Sequence, residues 1–460
     1  MIDARFFVYT FVHKNNRMKT NPTLRGIMAI ALMFAISFSA GAQARNKDMP
    51  VQQQTKQLQV SIDTLRFNLT EMTNRLNVDV SRISRIDRSI LSRLNQFSGS
   101  GTSARPYKIS NAAELKLLAD LVNTGTAPYC NADVYYEQTA DINLSGVEHS
   151  PIGTIINSNH FRGNYNGAGF TIFNLTIASN NDGEGLFGYT ASSAVVRNVR
   201  MTNVTISAKV CTGSLVALNT GTIEYCYVNL GGGITGSNTI FWTGVGGMVG
   251  YNSGTVKNSI VAGNGRVTGY EVVGGLAGSN TGTIENCYTT VQVTGLHRLT
   301  GGIAGFSTGW IRFCYATGNV AITGISAESE YVGGIAGSSK YIDAYHGFTK
   351  NCVALNKSVT IASSSNQIGR VKSYSSGSNN YARADMVLRN KNGNVTPSTG
   401  TSTKDGGDVS AESYNVSNSP RRPWWEMVAQ FSTQHWSIGN NRLPYLRGFP
   451  GLTQNPAVTP

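Results

Sequence analysis

The stretch from Gly274 to Thr290, GGLAGSNTGTIENCYTT, decides how this chain folds. It opens on a glycine pair, passes an aliphatic and a small residue, turns at Thr281-Gly282, and ends on a run holding Ile284, Cys287 and Tyr288. The same phrase returns at Gly246-Gly247, Gly301-Gly302 and Gly333-Gly334, with looser copies at Gly185-Leu186-Phe187-Gly188 and Gly213-Ser214-Leu215-Val216. Marked at the second glycine or its equivalent, the copies stand at 185, 214, 247, 275, 302 and 334, at intervals of 29, 33, 28, 27 and 32 residues. A period in this range means stacked units, each burying its apolar side only against its neighbours.

Aligned on that marker, the copies form columns. Twelve residues on stand Cys226, Ser259, Cys287 and Cys314, and Cys352 takes the same place after an insert carrying Tyr341 to His346. Ile223, Val256, Ile284 and Ile311 precede them by three, and a step at Thr220-Gly221, Ser253-Gly254, Thr281-Gly282 or Thr308-Gly309 comes just before. Farther along lie Ile234-Thr235-Gly236, Val267-Thr268-Gly269, Val293-Thr294-Gly295 and Ile322-Thr323-Gly324. Short β-branched runs bounded by Gly, Thr, Ser or Asn are strand signals. The pattern predicts a mainly β fold, a parallel β-helix or β-solenoid of about seven to nine coils. Matching strands would pair coil to coil, about 4.8 Å apart. The repeat glycines Gly247, Gly275, Gly302 and Gly334 would sit at turns needing φ > 0 or close backbone approach. The stacked cysteines Cys226, Cys287, Cys314 and Cys352 would be small buried thiols.

These columns resemble the GLUG repeats of large secreted bacterial, Bacteroidetes-like surface proteins. GGLAG at Gly274–Gly278 and GTIENCYTT at Gly282–Thr290 carry the likeness, and RPYKISNAAELKLLADLVN (Arg105–Asn123), DINLSG (Asp141–Gly146) and FRGNYNGAGFTIFNLTI (Phe161–Ile177) look like the lead-in of such proteins. The resemblance spans roughly residues 105–370 and implies a solenoid. It brings no catalytic motif with it.

The N-terminus reads as a signal peptide over residues 1–44: basic Lys19 and Arg25, an apolar core from Ile27 to Ala40, and a cleavage site at Ala42-Gln43-Ala44, with Met18 the expected start. That core is too short for a membrane span, so the mature chain is expected to be secreted, at the cell surface or outside. Net charge is +13, of which residues 98–380 carry only +2. A nucleic-acid surface would concentrate positive charge on the folded module, so no nucleic-acid partner is expected.

Residues 45–98 follow another rule. Ile62, Leu69, Leu76, Ile83, Ile90 and Phe97 fall seven apart, with Leu58, Leu65, Met72 and Ile86 at the partner positions and Asp79 and Arg93 as interruptions. This heptad pattern predicts an N-terminal α-helical coiled coil and a homo-oligomer formed through residues 51–97. Residues 99–184 read as a cap and first coils, including a short helix at 111–122 behind Asn111. Residues 185–380 are the repeat array, and 381–460 a loop followed by a Trp-rich C-terminal cap. Trp424, Trp425 and Trp436 are the candidate ligand-binding residues, because aromatic faces stack on sugars; the alternative is that they close the end of the solenoid.

Catalytic chemistry finds little support in the residue pattern. Glu224 and Glu285 share a column with Lys257 in the copy between them, which reads as a surface ion-pair stripe. There is no H-E-x-x-H, G-x-S-x-G, Walker or dinucleotide motif, and the cysteines lack C-x-x-C metal spacing. The expectation is therefore a non-enzymatic protein without cofactor or metal, adhesin-like, binding a host or glycan ligand. A polysaccharide-active or glycan-binding β-helix, or a structural fibre component, is the alternative.

Overall fold

The computed structural model describes residues 97–460, apart from 155–157, 238–243, 326–329, 339–347, 375–376, 416–423, 440–441, 455 and 457–460. The expected signal peptide, the insert from Tyr341 to His346, and the heptad segment up to its last position lie outside the described residues. That last position, Phe97, is buried in the N-terminal end of the solenoid against Tyr107, Tyr129 and Tyr136. It serves this core, and so is not a coiled-coil seam residue.

The described chain is a parallel β-solenoid. One turn comprises five short strands, Ala277–Asn280, Thr283–Glu285, Tyr288–Thr289, Gln292–Gly295 and Leu299–Gly301, before Ala304–Ser307 begins the next. Each strand pairs in parallel with its counterpart one turn away, as in Thr283↔Trp310 and Ala277↔Ala304. One face is a ten-stranded sheet running from Tyr107–Ile109 to Gly377–Ser378, and two others are six-stranded. The two remaining ladders merge where Arg200–Ala208 and Tyr227–Gly236 run unbroken through the corner between them. The ten-stranded face makes about ten turns, roughly 48 Å of stack at about 4.8 Å each. This exceeds the seven to nine expected, because lead-in strands such as Tyr135–Gln138 and Asn164–Asn166 stack without the double-glycine phrase.

Four consecutive residues account for much of each turn. In Glu285-Asn286-Cys287-Tyr288 the first faces out from the ten-stranded sheet, the second turns the corner, the third enters the core, and the fourth lies on the next flank. The corner residue adopts a left-handed conformation in seven successive turns: Asn198, Tyr225, Asn258, Asn286, Phe313, Asn351 and Asn379, with φ between 50° and 56°. Asn predominates because its short polar side chain tolerates this region best among residues with a Cβ.

The glycines have a different task from these corners. None of Gly247, Gly275, Gly302 and Gly334 has positive φ. A Cβ at Gly247, Gly275 or Gly302 would instead overlap the carbonyl oxygen of the glycine one turn on, and at Gly334 that of Arg370. Of the two reasons expected for these glycines, close backbone approach is the one that operates.

A buried polar ladder runs beside them. Asn219 Nδ2 donates to Asn252 Oδ1 (2.7 Å), Asn252 Nδ2 to Asn280 Oδ1 (2.8 Å), and Asn280 Nδ2 to Ser307 Oγ (3.0 Å). All four residues are buried, so each amide must find its partner in the neighbouring turn.

The ends are built differently from the repeats. The expected short helix is α1 (Ala112–Asn123): Asn111 Oδ1 accepts from the Glu114 N–H, and Glu114 accepts from the Ser110 N–H. Leu115, Leu118, Leu121 and Val122 on its inner face join the core. At the other end Arg370 and Lys372 stand where earlier turns have Gly334 and Ala336. Buried Arg370 is held by the carbonyl oxygens of Asp405 and Gly406 and by Asp408 at 2.7 Å. Burial lowers the Lys372 pKa to about 8.

Candidate functional site

The outer side of the ten-stranded face carries a polar rail, charged at all positions but Asn166 and Ser378. Register places Lys108, Glu137, Asn166, Arg197, Glu224, Lys257, Glu285, Arg312, Lys350 and Ser378 side by side on successive turns. Lys108 pairs with Glu137, Lys257 with Glu224 at 3.0 Å, and Arg312 with Glu285 at 3.0 Å. Such exposed pairs contribute only about 0–1 kcal/mol each, so the rail matters more as a surface than as a fastening.

Two residues back along each strand lies a second outward column: Thr222, Thr255, Thr283 and Trp310. Trp310 and Phe348 stack at 4.6 Å and 21°, and they are 42% and 50% exposed. Together the two rings form an exposed apolar patch on an otherwise polar sheet face. Trp310 replaces threonine in a column expected to face outward, and this replacement was the available signal in the sequence.

The tryptophans singled out from the sequence behave otherwise. The C-terminal segment does not close the end of the solenoid; it lies along its flank. Its aromatic side chains pack on the outward column after the cysteines, Tyr227, Ile260, Tyr288, Tyr315, Val353 and Tyr381. Trp425 and Trp436 are buried there, both against Tyr315, while half-buried Trp424 meets Tyr381 edge-on. Polar contacts fix the path. Asn379 donates to the Val428 carbonyl (3.0 Å), Asn351 to that of Ala429 (3.1 Å), and Tyr315 OH to that of Pro444 (2.6 Å). Trp436 Nε1 donates to Asn286 Oδ1 (3.2 Å), and Arg200 reaches the Pro450 carbonyl. The corner asparagines thus both turn the chain and anchor this strap. With their faces covered, Trp425 and Trp436 offer no platform to a sugar.

Where the strap passes the corners of two early turns it leaves an open cleft of about 380 Å³, lined by Asn198, Tyr225, Gln434, His435, Arg447 and Gly448. Arg447 Nε donates to the Trp436 carbonyl (3.2 Å), which orients the guanidinium. No carboxylate is among these lining residues.

The cysteine column is chemically quiet. Cys226, Cys287, Cys314 and Cys352 are fully buried, and each Sγ–H points at the carbonyl two residues back at 3.2–3.4 Å. Ser259 makes the equivalent bond at 2.8 Å. Burial pushes the Cys226 thiol up to about 12, and raises Cys314 and Cys352 well above the ordinary thiol range. A thiol held in its neutral form is a poor nucleophile. All six cysteines are free, Cys130 and Cys211 included. His149 is half-buried with Nε2 3.2 Å from the Gly185 and Leu186 carbonyls, and desolvation lowers its pKa. Among the described residues no cluster of three His, Cys, Asp or Glu side chains is placed to hold a metal ion, and no helix is long and apolar enough to cross a membrane.

With this geometry in place, comparison with known proteins is informative about the repeat. Residues 269–294 match the family model described as the GLUG motif, over the glycine pair, the asparagine ladder and the cysteine column of a single turn. A segment of 165 residues, 34% of this chain, is 31% identical to halomucin of Haloquadratum walsbyi, and the match spans 2% of that much longer protein. These likenesses support the GLUG-repeat reading. A crystal structure from Bacteroides ovatus, of a protein named as a candidate immunoglobulin A1 protease, superposes with a TM-score of 0.51 at 22% identity. The superposition covers 76% of this chain and 94% of that one, and it shows a shared fold.

Proposed function

We propose that this chain is an exported, non-enzymatic β-solenoid of adhesin-like type, whose ten-stranded face binds an extended glycan or host-surface ligand. The observation that carries this reading is the outward surface itself: a polar rail, charged at all positions but Asn166 and Ser378, beside the exposed Trp310–Phe348 stack. An extended ligand lying along the stack would meet equivalent side chains every turn, about 4.8 Å apart. Oligomerisation through the heptad segment up to residue 96, without Phe97, would multiply weak contacts by avidity. Signal-peptide features of residues 1–44 support export.

The test is a glycan and host-matrix array probed with residues 45–460, with a form lacking residues 45–96, which keeps the buried Phe97, and with Trp310→Ala. The expected result is binding by the full form, a loss of tenfold or more on Trp310→Ala with unchanged thermal unfolding, and weaker retention by the truncated form. Undiminished binding by the folded Trp310→Ala protein would remove this face from the reading.

Peptide-bond hydrolysis is the second reading, drawn from the name of the Bacteroides ovatus neighbour. The buried thiols of the cysteine column, held neutral at Cys226, Cys314 and Cys352, give it no nucleophile there. Incubation with immunoglobulin A1 decides it: intact heavy chain is expected, and specific cleavage would replace the binding reading with an enzymatic one.

A further inference from the structure

We infer that the cleft between the C-terminal strap and the corners at Asn198 and Tyr225 is a second binding site, for a carboxylate-bearing sugar. This rests on the binding reading above but concerns a different surface, one that exists only because the strap is docked.

The strap contributes Gln434, His435, Arg447 and Gly448, and the solenoid contributes Asn198 and Tyr225. The volume, about 380 Å³, falls at the lower end of small-ligand sites. The charge is one-sided. Arg447 meets no carboxylate among the described residues that line the cleft, and Arg197 and Arg200 flank Asn198 in sequence. The nearest carboxylate in sequence, Glu224, is already paired with Lys257 at 3.0 Å.

The site is also partly organised before any ligand arrives. Nε of Arg447 is fixed by the Trp436 carbonyl, and its backbone N–H donates to the His435 carbonyl at 2.8 Å. Trp436 is itself anchored on Asn286. The planar guanidinium is therefore pre-oriented, and its geometry suits two parallel hydrogen bonds to a carboxylate. Asn198 is held by Asn166, to which its Nδ2 donates at 2.9 Å. The half-buried Tyr225 ring, wedged against Gly448 and Phe449, forms a flat wall. A pyranose can lie on such a wall, with amide groups of Asn198 and Gln434 left to meet its hydroxyls. Charge, a flat apolar wall and amide groups together are what an acidic sugar requires and a neutral one only partly uses.

The experiment measures binding of 3′-sialyllactose, trigalacturonic acid and lactose to the full chain by calorimetry, then to Arg447→Gln and Arg447→Lys. Expected is saturable binding of at least one acidic sugar, at least tenfold tighter than lactose and weakened by salt. Which acidic sugar binds separates a host sialate from a polysaccharide uronate. Arg447→Gln should fall to the lactose level with an unchanged unfolding temperature, and Arg447→Lys should keep part of the preference. Equal binding of acidic and neutral sugars, no binding of either acid, or an unaffected Arg447→Gln would each overturn the inference. If the array still shows Trp310-dependent binding in those cases, the cleft has failed while the reading of the ten-stranded face stands.

Discussion

Two regions of this molecule exclude water equally well and are built by opposite rules. In the interior, each position repeats: cysteine stands on serine and cysteine, asparagine on asparagine, glycine on glycine, one turn apart. On the flank the strap itself has no repeat, although the column it covers does. Trp436 reaches Asn286 across 150 residues of sequence, and Tyr315 reaches Pro444 across 129. A repeating interior lets one short phrase define a whole architecture, because each turn's partner is a copy of itself. An unrepeated flank must be complementary to a surface that another part of the chain has already made.

The first way to break this comparison is to empty the flank. Trp436→Ala removes a fully buried indole and its bond to Asn286, and should cost about 4 kcal/mol. The strap is expected to loosen first, so that limited trypsin cuts at Arg442 and Arg447 while the β signal of the solenoid persists. A single transition in which both are lost together would make strap and stack one cooperative unit. Next is the interior: Gly275→Ala drives a methyl into the Gly302 carbonyl and should cost about 3 kcal/mol in denaturant unfolding. The effect should appear in the β signal and leave the strap's protease pattern to follow it.

A smaller loss, about 2 kcal/mol, is expected for Asn252→Ala. It strands the Asn219 amide and removes the donor to Asn280 inside the ladder. If the measured cost is negligible, water has entered the ladder and the dry repeating interior is not as described. At the low end, Cys287→Ser should cost under about 1.5 kcal/mol, because Ser259 already occupies that column and makes the same carbonyl bond.

The same column sets a pH limit. The folded chain holds the Cys226 thiol neutral up to about 12, whereas an ordinary thiol titrates at 9.0. The unfolded chain therefore loses this proton first. Stability from this group is complete below pH 9 and declines as pH rises from 9 to 12. Unfolding followed across that window should show the fall, and Cys226→Ser should flatten it in part.

Legibility from sequence tracks the same division. The period, the cysteine column, the glycine pairs and the ion-pair stripe at Glu224, Lys257 and Glu285 were all visible, because each is a local choice repeated at one spacing. The asparagine ladder was equally present, one residue before each Thr-Gly or Ser-Gly step, but a lone Asn beside Gly reads as a turn until its stacked neighbour is known. The left-handed corner was expected at glycine and is at Asn286 and its equivalents, since Asn tolerates that conformation and its amide is wanted by the strap. Trp310 was passed over because its partner Phe348 lies beyond an insert that breaks the period.

What the sequence by itself determined is the stack: a self-complementary unit near 28 residues long can satisfy its backbone and bury its Ile, Val and Cys only against copies of itself. What the tertiary structure alone decided is where the Trp-rich tail goes. The end of the solenoid is closed by Arg370, Asp405 and Asp408, which leaves the tail free to cover the outward column of Tyr227, Tyr288 and Tyr315. That column is mostly aromatic and would otherwise face water, and burying it at about 25 cal/mol per Å² favours the flank over the end. The cleft beside Arg447 follows from this choice, because neither the strap nor the corner at Tyr225 contains it alone.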